Sequence, residues 1–378
     1  MNTEREHIDM ASSLAPTGSG NKALSKAKIA KQDEFYTQLS DIENELRHYR
    51  EQLHDKVVLC NCDDPYESNF FRYFALNFNA LGLKKLIATC YDGSSVAGGR
   101  LPLLDIEGLK PEGKQPYAVE IINVPDVNGD GAIDLTDVEL LLKSDGNVSH
   151  TLKGDAEYGA GDFRSAECVN FLKQADVVVT NPPFSLFREF IAHLITYNKK
   201  FLVVGNQNQV ATDEIAALIT NGDIWQGNYS GDMAFRVPDY YEPRNSRFWI
   251  DENGQKWRSL GTGCWYTNLD FAKRHEKLNL FKKYTPDDFP SYVNYDAIEV
   301  SRYTEIPVDY PDEMGIPVTA VSKLSPDQFE IVGFSGMLAK PMADLIPGQT
   351  GSGRFYLDLG GGEFKRMYDR VVVRNKTL

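Results

Sequence analysis

From residue 39 to residue 220, short and mainly apolar runs alternate with stretches of helical periodicity, and this alternation limits the fold more than any other feature. The apolar runs cover residues 56–62, 86–91, 175–180 and 201–206, and the helical stretches cover residues 39–53, 70–76, 166–173, 186–197 and 214–220. Apolar runs that lack a polar face are typical of strands buried on both sides, which helices cover in a parallel sheet. We therefore predict the α/β class with a mainly parallel sheet.

Polar residues stand at the carboxyl ends of the predicted strands. Asp63 and Asp64 follow the first strand, Asp92 follows the second, and Asn181 follows the third. Ligands of parallel α/β sheets bind outside the carboxyl ends of the strands. We therefore expect the functional site at this edge of the sheet.

Changes in composition divide the chain into three regions. Residues 1–21 have few apolar side chains and are rich in Ser, Gly, Thr and Pro, which predicts a disordered tail. Residues 22–222 hold the predicted sheet, and an acidic, loop-rich insertion interrupts them at about 93–160. After residue 222, short apolar runs alternate with Trp, Tyr, Arg and Gly, so we expect a β-rich region over 223–378, part of which returns to the sheet.

The net charge of −14 argues against a nucleic-acid partner until its distribution is considered. Residues 105–167 hold 14 acids and 5 bases, whereas residues 231–283 hold 10 bases and 7 acids. A basic surface in the C-terminal half would contact phosphates or guanines, although each side chain alone also fits an ordinary surface charge. The candidates for such contacts are Arg236, Arg244, Arg247, Arg258, Lys273 and Arg274.

The cysteines and the hydropathy of the chain exclude several classes of protein. The five cysteines are scattered and odd in number, which is typical of buried free thiols in a reducing cytoplasm. Cys60 and Cys62 alternate on a predicted strand without metal-binding neighbours, so we predict no zinc site. No run of about 18 apolar residues exists, which predicts that the chain does not span a membrane.

Residues Asp126–Asp137 follow the pattern of an EF-hand calcium loop. Oxygen donors occupy loop positions 1, 3, 5, 9 and 12, and Gly131 occupies position 6. The last donor is Asp in place of the usual Glu, and Pro125 stands where an entering helix would end. Calcium binding and a polar surface turn both remain open, and a calcium ion here would be structural and not catalytic.

The tetrapeptide Asn181-Pro182-Pro183-Phe184 lies between an apolar strand and a helix, and its chemistry suits an aromatic amine. The lone pair of such an amine is conjugated with its ring, and two acceptors for its protons would aim that lone pair at an electrophile. Asn181 offers a side-chain carbonyl, and Pro182 offers a backbone carbonyl stiffened by the adjoining Pro183. Phe184 offers a flat surface on which an extruded base can stack. A rigid turn without chemistry is the alternative.

Beyond the tetrapeptide, several segments together match a known family. They are Asp33–Thr37, Asn61–Pro65, Ser68–Phe70, Gly161–Arg164, Asn181–Phe187 and Trp265–Leu269. Through these segments the chain resembles the EcoRI-type adenine-N6 DNA methyltransferases from about residue 22 to residue 335. The resemblance implies the Rossmann-like fold of a class I methyltransferase, S-adenosylmethionine as cofactor, a C-terminal target-recognition region and a gamma-like order of motifs.

The resemblance also implies roles for single residues. The cofactor-binding residues that it implies are Phe35, Tyr36, Thr37, Asp63, Asp64, Pro65, Asp92, Asp162 and Phe163. Asp92 falls where an acidic residue takes the ribose hydroxyls, and Asp162 and Phe163 fall where the adenine of the cofactor is held. Most methyltransferases have a glycine-rich turn after the first strand, which residues 64–69 lack here, as does the family named.

The tetrapeptide and the resemblance together predict a site-specific DNA methyltransferase that acts on an adenine flipped out of the duplex. One alternative is methylation of RNA adenine or of a protein glutamine, because both need the same acceptors around nitrogen. The other is a non-catalytic DNA-binding relative, against which the intact tetrapeptide argues. We further expect a monomer in the cytoplasm of a bacterial or phage-infected cell, with double-stranded DNA as partner and a cognate restriction enzyme as a candidate companion.

Overall fold

The computed structural model describes residues 35–62, 68–90, 116–126, 129, 136–137, 148–239 and 241–378. These residues divide into two units. The first unit draws on the described residues within segments 35–42, 53–201 and 234–259, and the second draws on segments 43–52, 202–233 and 260–378. Neither unit is therefore a single continuous stretch of sequence.

Strands and helices follow one another along the first half of the described residues, and strands dominate after residue 222. The strands are β1 (Tyr36–Thr37), β2 (Val57–Cys60), β3 (Lys85–Thr89), β4 (Tyr117–Ile121), β5 (Val148–Thr151), β6 (Val177–Thr180), β7 (Lys200–Asn206), β8 (Trp225–Arg236), β9 (Phe248–Ile250), β10 (Lys256–Thr267), β11 (Ile298–Glu299), β12 (Met314–Pro317), β13 (Phe329–Phe334), β14 (Tyr356–Gly360), β15 (Glu363–Arg366) and β16 (Arg370–Asn375). The α-helices are α1 (Leu39–Leu46), α2 (Asn69–Leu76), α3 (Phe78–Leu81), α4 (Ala166–Gln174), α5 (Phe187–Thr196), α6 (Asp213–Thr220) and α7 (Ser335–Leu338). The predicted alternation and the predicted β-rich C-terminal region are confirmed.

Three parallel strands form the centre of the first unit. β2 lies between β3 and β6, with Cys60 opposite Ala88 on one side and Leu59 opposite Val178 on the other. Every residue of β2 and β6 is buried, which explains why both strands read as continuous apolar runs. The predicted α/β class with buried parallel strands is confirmed.

The acidic insertion adds two strands that sequence analysis did not predict. β4 pairs antiparallel with β3, and β5 pairs antiparallel with β4, so the strand order at this edge is β6-β2-β3-β4-β5. The sheet is therefore mixed, with a parallel centre and an antiparallel extension. β4 has only five residues, the half-buried Glu120 interrupts its apolar run, and acidic sequence surrounds it.

The second unit consists mainly of antiparallel strands. Its four-stranded sheet has the order β11-β12-β16-β13, in which only the β11–β12 pair is parallel. β14 and β15 form a separate hairpin, and β7 pairs antiparallel with β10, placing Val204 opposite Trp265. Val204 and Trp265 are fully buried, so the β7–β10 pair belongs to the core of this unit.

A buried ion pair joins two strands of the four-stranded sheet. Arg370, at the start of β16, donates from Nε and from a terminal nitrogen to the two carboxylate oxygens of Glu299 on β11, at 2.9 and 2.8 Å. Tyr292 donates its hydroxyl to the same carboxylate and to the carbonyl of Gly315. A Cβ at Gly315 would collide with that hydroxyl, so glycine is required there. The charges are fully paired, which is what makes their burial tolerable.

A buried carboxyl, Glu45 at the end of α1, receives three hydrogen bonds within the second unit. The backbone N–H groups of Asn228 and Tyr229 donate to its oxygens at 2.6 and 2.9 Å, and the Tyr49 hydroxyl donates at 3.0 Å. Burial raises the pKa of Glu45 from 4.5 to about 7, and the three donors oppose that shift only in part. The first residues of β8 are thus fastened to α1 by a carboxyl that titrates near neutrality.

Other sequence predictions stand as follows. All five cysteines are free and buried, as predicted. Within the described part of the chain, no helix has the length and hydropathy needed to cross a membrane. The tail over residues 1–21 lies outside the described residues, and the division into regions 22–222 and 223–378 stays a prediction, because it assigns functions that packing alone does not reveal.

Removing the guanidinium of Arg370 should be far more costly than removing that of Arg374 on the same strand. The Arg370 side chain is 7% exposed and the Arg374 side chain, which pairs with Glu313 and Glu330, is 43% exposed. We expect Arg370→Ala to lower the free energy of unfolding by about 3–5 kcal/mol, because Glu299 is left buried and unpaired. Arg374→Ala should cost less than about 1 kcal/mol. Equal losses of stability in urea titrations of the two variants would contradict this account.

The raised pKa of Glu45 should make part of the stability depend on pH. A carboxyl whose pKa rises on folding binds more protons in the folded state than in the unfolded state. Its stabilising contribution to the free energy of unfolding is therefore complete below pH 4.5 and is lost as pH rises through about 7. Relative to Glu45→Gln, the wild-type chain should therefore lose stability between these two pH values. Urea titrations of both proteins across this range measure the difference, and a constant difference would show that Glu45 does not titrate in this window.

Candidate functional site

The predicted turn Asn181–Phe184 joins β6 to α5 in the first unit. β6 delivers Asn181 and Pro182 into the interior, where Asn181 is 7% exposed, while Pro183 and Phe184 are half-buried. The N–H of Leu186 donates to the carbonyl of Pro183 at 2.9 Å and closes the turn. The segment therefore has the strand–turn–helix context that the sequence predicts, and a strand end inside a sheet holds it rigidly.

The amide of Asn181 has a fixed orientation. Its Nδ2 donates to the backbone carbonyl oxygen of Phe35 at 2.5 Å. A carbonyl oxygen can only accept, so the nitrogen of the amide must face Phe35 and Oδ1 must point the other way. Oδ1 is buried and has no hydrogen-bond partner among the described residues. An unpaired buried acceptor costs about 1–3 kcal/mol, which a donor on a ligand would recover.

Aromatic rings stand beside this amide. The ring of Phe35 lies 5.2 Å from that of Phe184 and 5.6 Å from that of Phe235. Tyr241 approaches Phe35 edge-on at 6.1 Å and stacks on Phe248 at 6.3 Å. Phe235 and Tyr241 are buried, whereas Phe35 and Phe184 are half-buried and keep exposed surface. The turn thus combines a directed acceptor with an apolar, partly open wall.

Buried polar side chains line the carboxyl ends of the central strands. Continuing the register by one residue between β2 and β3, and by two residues between β2 and β6, places Asn61, Thr89 and Thr180 side by side at the ends of these strands. All three are buried. The hydroxyl of Thr180 has no hydrogen-bond partner in the described part of the chain, and neither does the buried hydroxyl of Thr37. Polar groups buried without partners, at the edge where ligands of α/β sheets bind, suit a polar ligand.

Phe35, Tyr36 and Thr37 lie together beside Asn181. β1 pairs antiparallel with the last residues of β8, so that Tyr36 faces Arg236 and Thr37 faces Phe235. Thr37 is buried, and its carbonyl oxygen accepts a hydrogen bond from Nδ2 of Asn69 at 2.8 Å. The structure therefore brings three of the predicted cofactor residues next to the predicted catalytic turn.

Asp162 and Phe163 occupy a well-ordered loop before α4. The guanidinium of Arg164 donates to both carboxylate oxygens of Asp162, at 2.7 and 2.9 Å. The backbone N–H of Arg164 donates to the same carboxylate at 3.0 Å. Arg164 also pairs with Glu189 of α5 at 2.7 Å. Phe163 is buried against the edge of Phe190 at 5.0 Å. Arg164, whose role sequence analysis missed, thus ties this loop to the helix that follows the Asn181 turn.

Several predicted residues lie outside the described residues. They are Asp63, Asp64, Pro65 and Asp92, and most of the calcium-like loop Asp126–Asp137. At the start of that loop, the Asp126 carboxylate accepts from the N–H of Gly129 at 2.7 Å, which is an ordinary turn contact. Among the described residues, no group of three or more His, Cys, Asp or Glu side chains is placed to hold a metal ion. Calcium binding by this loop stays a prediction.

Four of the six predicted DNA contacts belong to the first unit. The guanidinium of Arg236 lies 4.9 Å from the ring of Tyr36, and that of Arg244, which is exposed, lies 5.9 Å from the ring of Tyr241. The guanidinium of Arg258, on β10, donates to the backbone carbonyl of Arg247 at 3.1 Å. Arg247 immediately precedes β9. These arginines and the aromatic rings beside Asn181 thus share one unit.

The other two predicted contacts, Lys273 and Arg274, belong to the second unit. Arg274 lies 3.7 Å above the ring of Trp225 and pairs with Asp270 at 3.0 Å, so its charge is already engaged. Lys273 is exposed. Burial lowers the pKa of Lys323, and the charge of Lys273 lowers it further. Lys323 is therefore a basic neighbour of Lys273 that sequence reasoning missed, because it stands 50 residues away along the chain.

Comparison with known proteins gives a consistent result over nearly the whole chain. A family model described as "Adenine-specific methyltransferase EcoRI" matches residues 23–376. The chain is 41% identical over 366 residues to the type II methyltransferase M.EcoRI of Escherichia coli, covering 95% of this chain and 98% of that protein. It is 34% identical over 361 residues to the type II methyltransferase M.MpnI of Mycoplasma pneumoniae, covering 93% of this chain and 98% of that protein. No solved structure matches.

A third relative, the type II methyltransferase M.MgeORF184P of Mycoplasma genitalium, is 34% identical over 368 residues and is covered to 99% of its length. The matches span both units and the insertion-flanking segments alike, so they concern the whole chain and not one motif. The resemblance predicted from the sequence is confirmed: the chain belongs to the EcoRI family of adenine-specific type II DNA methyltransferases.

Proposed function

We propose that this chain transfers the methyl group of S-adenosylmethionine to the exocyclic N6 amine of an adenine flipped out of double-stranded DNA. The observation that carries the proposal is the buried Oδ1 of Asn181, which has no hydrogen-bond partner among the described residues and is held in its orientation by the carbonyl of Phe35. A buried acceptor that lacks a donor suits a substrate that brings an N–H group, as the adenine amine does.

Two carbonyl oxygens prepare the amine for reaction. Oδ1 of Asn181 accepts a hydrogen bond from one amine N–H, and the backbone carbonyl of Pro182 accepts a hydrogen bond from the other. These two bonds draw the nitrogen out of conjugation with the ring and direct its lone pair towards the methyl group. Phe184, half-buried beside Phe35, stacks on the flipped base. Bound S-adenosylmethionine supplies an electrophilic methyl group on a sulfonium. Because the turn lies at the end of a buried strand, its acceptors need no rearrangement when the base arrives.

The cofactor fits beside this turn. The buried hydroxyls of Thr37 and Thr180, which no described residue bonds, lie at the edge of the sheet where nucleoside ligands of α/β folds bind. The predicted cofactor residues are retained in this proposal: Phe35, Tyr36, Thr37, Asp63, Asp64, Pro65, Asp92, Asp162 and Phe163. The carboxylate of Asp162 offers about four acceptor positions, of which Arg164 takes three, so one remains for a donor on the adenine of the cofactor.

Basic side chains of the C-terminal half would hold the duplex. Arg236, Arg244 and Arg247 share the first unit with the aromatic wall around Phe35, and Arg244 and Arg247 are exposed. Exposed arginines bind phosphates and fix the register of a protein on DNA, whereas base readout needs contacts in the grooves. Region 223–378 is the proposed target-recognition region, and region 22–222 is the proposed cofactor-binding and catalytic region. A monomeric enzyme with a cognate restriction enzyme completes the proposal.

Replacing Asn181 tests the proposal directly. We expect Asn181→Ala to lower the rate of methyl transfer to duplex DNA by about 10²- to 10³-fold, because one preorganised hydrogen bond to the reacting amine is lost. The matched control is Asn170→Ala, which removes an exposed amide on α4 and should leave the rate unchanged. Transfer of labelled methyl groups measures both rates, with mass spectrometry of the nucleosides to identify the product.

Two outcomes would contradict the proposal. Transfer at the wild-type rate by Asn181→Ala would remove Asn181 from the reaction. Label that appears on RNA or protein, and not on adenine in DNA, would assign a different substrate to the same acceptors.

The exposed arginines should set the salt dependence of DNA binding. Each phosphate contact contributes about −0.9 to the slope of log affinity against log salt. We expect Arg244→Ala and Arg247→Ala each to reduce that slope by about 1 and to weaken binding to all sequences alike. Arg374→Ala is the control, since this arginine is already paired with two glutamates of the second unit. Slopes unchanged in both test variants would exclude these arginines as phosphate contacts.

A further inference from the structure

The orientation of Asn181 depends on a segment outside its own strand. The acceptor for Nδ2 is the backbone carbonyl of Phe35, which lies 146 residues earlier in the chain. A backbone carbonyl directs an amide only if its own segment is held in place. The geometry of the reaction therefore depends on what fixes residues 35–38.

β1 is too short to fix itself. Its two residues pair with the end of β8, and Gln38 adds a hydrogen bond from Nε2 to the carbonyl of Ala234 at 2.9 Å. The carbonyl of Gln38 also accepts from the N–H groups of Asp41 and Ile42 in α1, at 3.1 and 3.2 Å. None of these bonds reaches the parallel strands around Asn181 or the helices beside them. A contact to a different element is needed to define its position relative to β6.

Asn69 supplies a contact of this kind. Its Nδ2 donates to the carbonyl oxygen of Thr37 at 2.8 Å, from the first residue of α2. That helix is itself firmly placed. Ser68 caps it by accepting from the N–H groups of Phe70 and Phe71, and both phenylalanines are buried. Asn69 thus ties residues 35–37 to the helix that follows β2, the strand next to β6.

We propose that Asn69 is a positioning residue for methyl transfer: by holding the carbonyl of Thr37 it places the carbonyl of Phe35, which in turn directs Oδ1 of Asn181. The inference rests on the proposed function, since it gives Asn69 a role only in the reaction of Asn181. Asn69 does not touch the substrate in this account. A displacement of about 1 Å at the reacting group can cost about 100-fold in rate, so a hydrogen bond two residues away has a measurable effect.

Two replacements of Asn69 separate the hydrogen bond from the shape of the side chain. Asn69→Asp keeps the shape but cannot donate to the carbonyl of Thr37, and Asn69→Ala removes both. We expect either change to lower kcat by about 10- to 100-fold and to leave KM for DNA within about threefold. The matched control is Asn77→Ala at the C-cap of the same helix, which removes a side-chain bond of 2.8 Å to the carbonyl of Tyr73 and should leave kcat unchanged.

A double-mutant cycle tests whether Asn69 acts through Asn181. With enzyme in excess, single turnovers of Asn69→Ala, Asn181→Ala and the double variant are compared with wild type. If Asn69 works by directing the Asn181 amide, the double variant should be no more than about threefold slower than Asn181→Ala. Melting temperatures of the Asn69 and Asn77 variants show whether a loss of rate reflects loss of folding.

The outcomes distinguish the inference from the proposed function. If wild type does not methylate adenine in DNA, the proposed function fails. If wild type is active, the inference is overturned by an Asn69→Asp rate equal to that of Asn77→Ala. It is also overturned by additive losses in the double variant, which would mean that Asn69 affects the reaction independently of Asn181.

Discussion

The hydrogen bond from Nδ2 of Asn181 to the carbonyl of Phe35 is the interaction on which the proposed chemistry depends. It fixes which branch of the amide is the nitrogen and which is the oxygen. It leaves the buried Oδ1 without a hydrogen-bond partner among the described residues. Folding therefore stabilises an acceptor that none of the described residues satisfies. The parallel strands around it are fully buried, so the packing of the sheet offsets the free-energy cost of that unsatisfied acceptor.

Most of the fold could be predicted from the sequence, because its elements have strong and distinct periodicities. The runs that became β2, β3 and β6 are mainly apolar and do not alternate between polar and apolar residues, which is typical of a sheet covered on both faces. The insertion was different: β4 is short and carries Glu120 as its fourth of five residues, and its pairing with β3 is a contact that no local pattern predicts. The buried pair of Glu299 and Arg370 was equally hidden, since 71 residues separate its members.

The candidate site could be predicted in part. Asn181 and Phe184 were recognisable because their chemistry is carried by a contiguous tetrapeptide at a strand end, and Phe35 and Thr37 came from family resemblance. What the sequence did not indicate was how these segments meet. The Phe35 carbonyl is a backbone group without any sequence signal, and Asn69 acts through such a carbonyl. Positioning of this kind is a property of the tertiary structure alone.

The most direct test of the central claim is the rate of N6-methyladenine formation by Asn181→Asp, followed by mass spectrometry of DNA nucleosides. Aspartate keeps the volume of asparagine and an acceptor oxygen at the Oδ1 position, but when ionised it has no N–H to donate to the carbonyl of Phe35. If that bond sets the geometry, the rate should fall by about 100-fold or more at neutral pH. A rate close to that of wild type would show that the orientation imposed by Phe35 is not needed for the reaction.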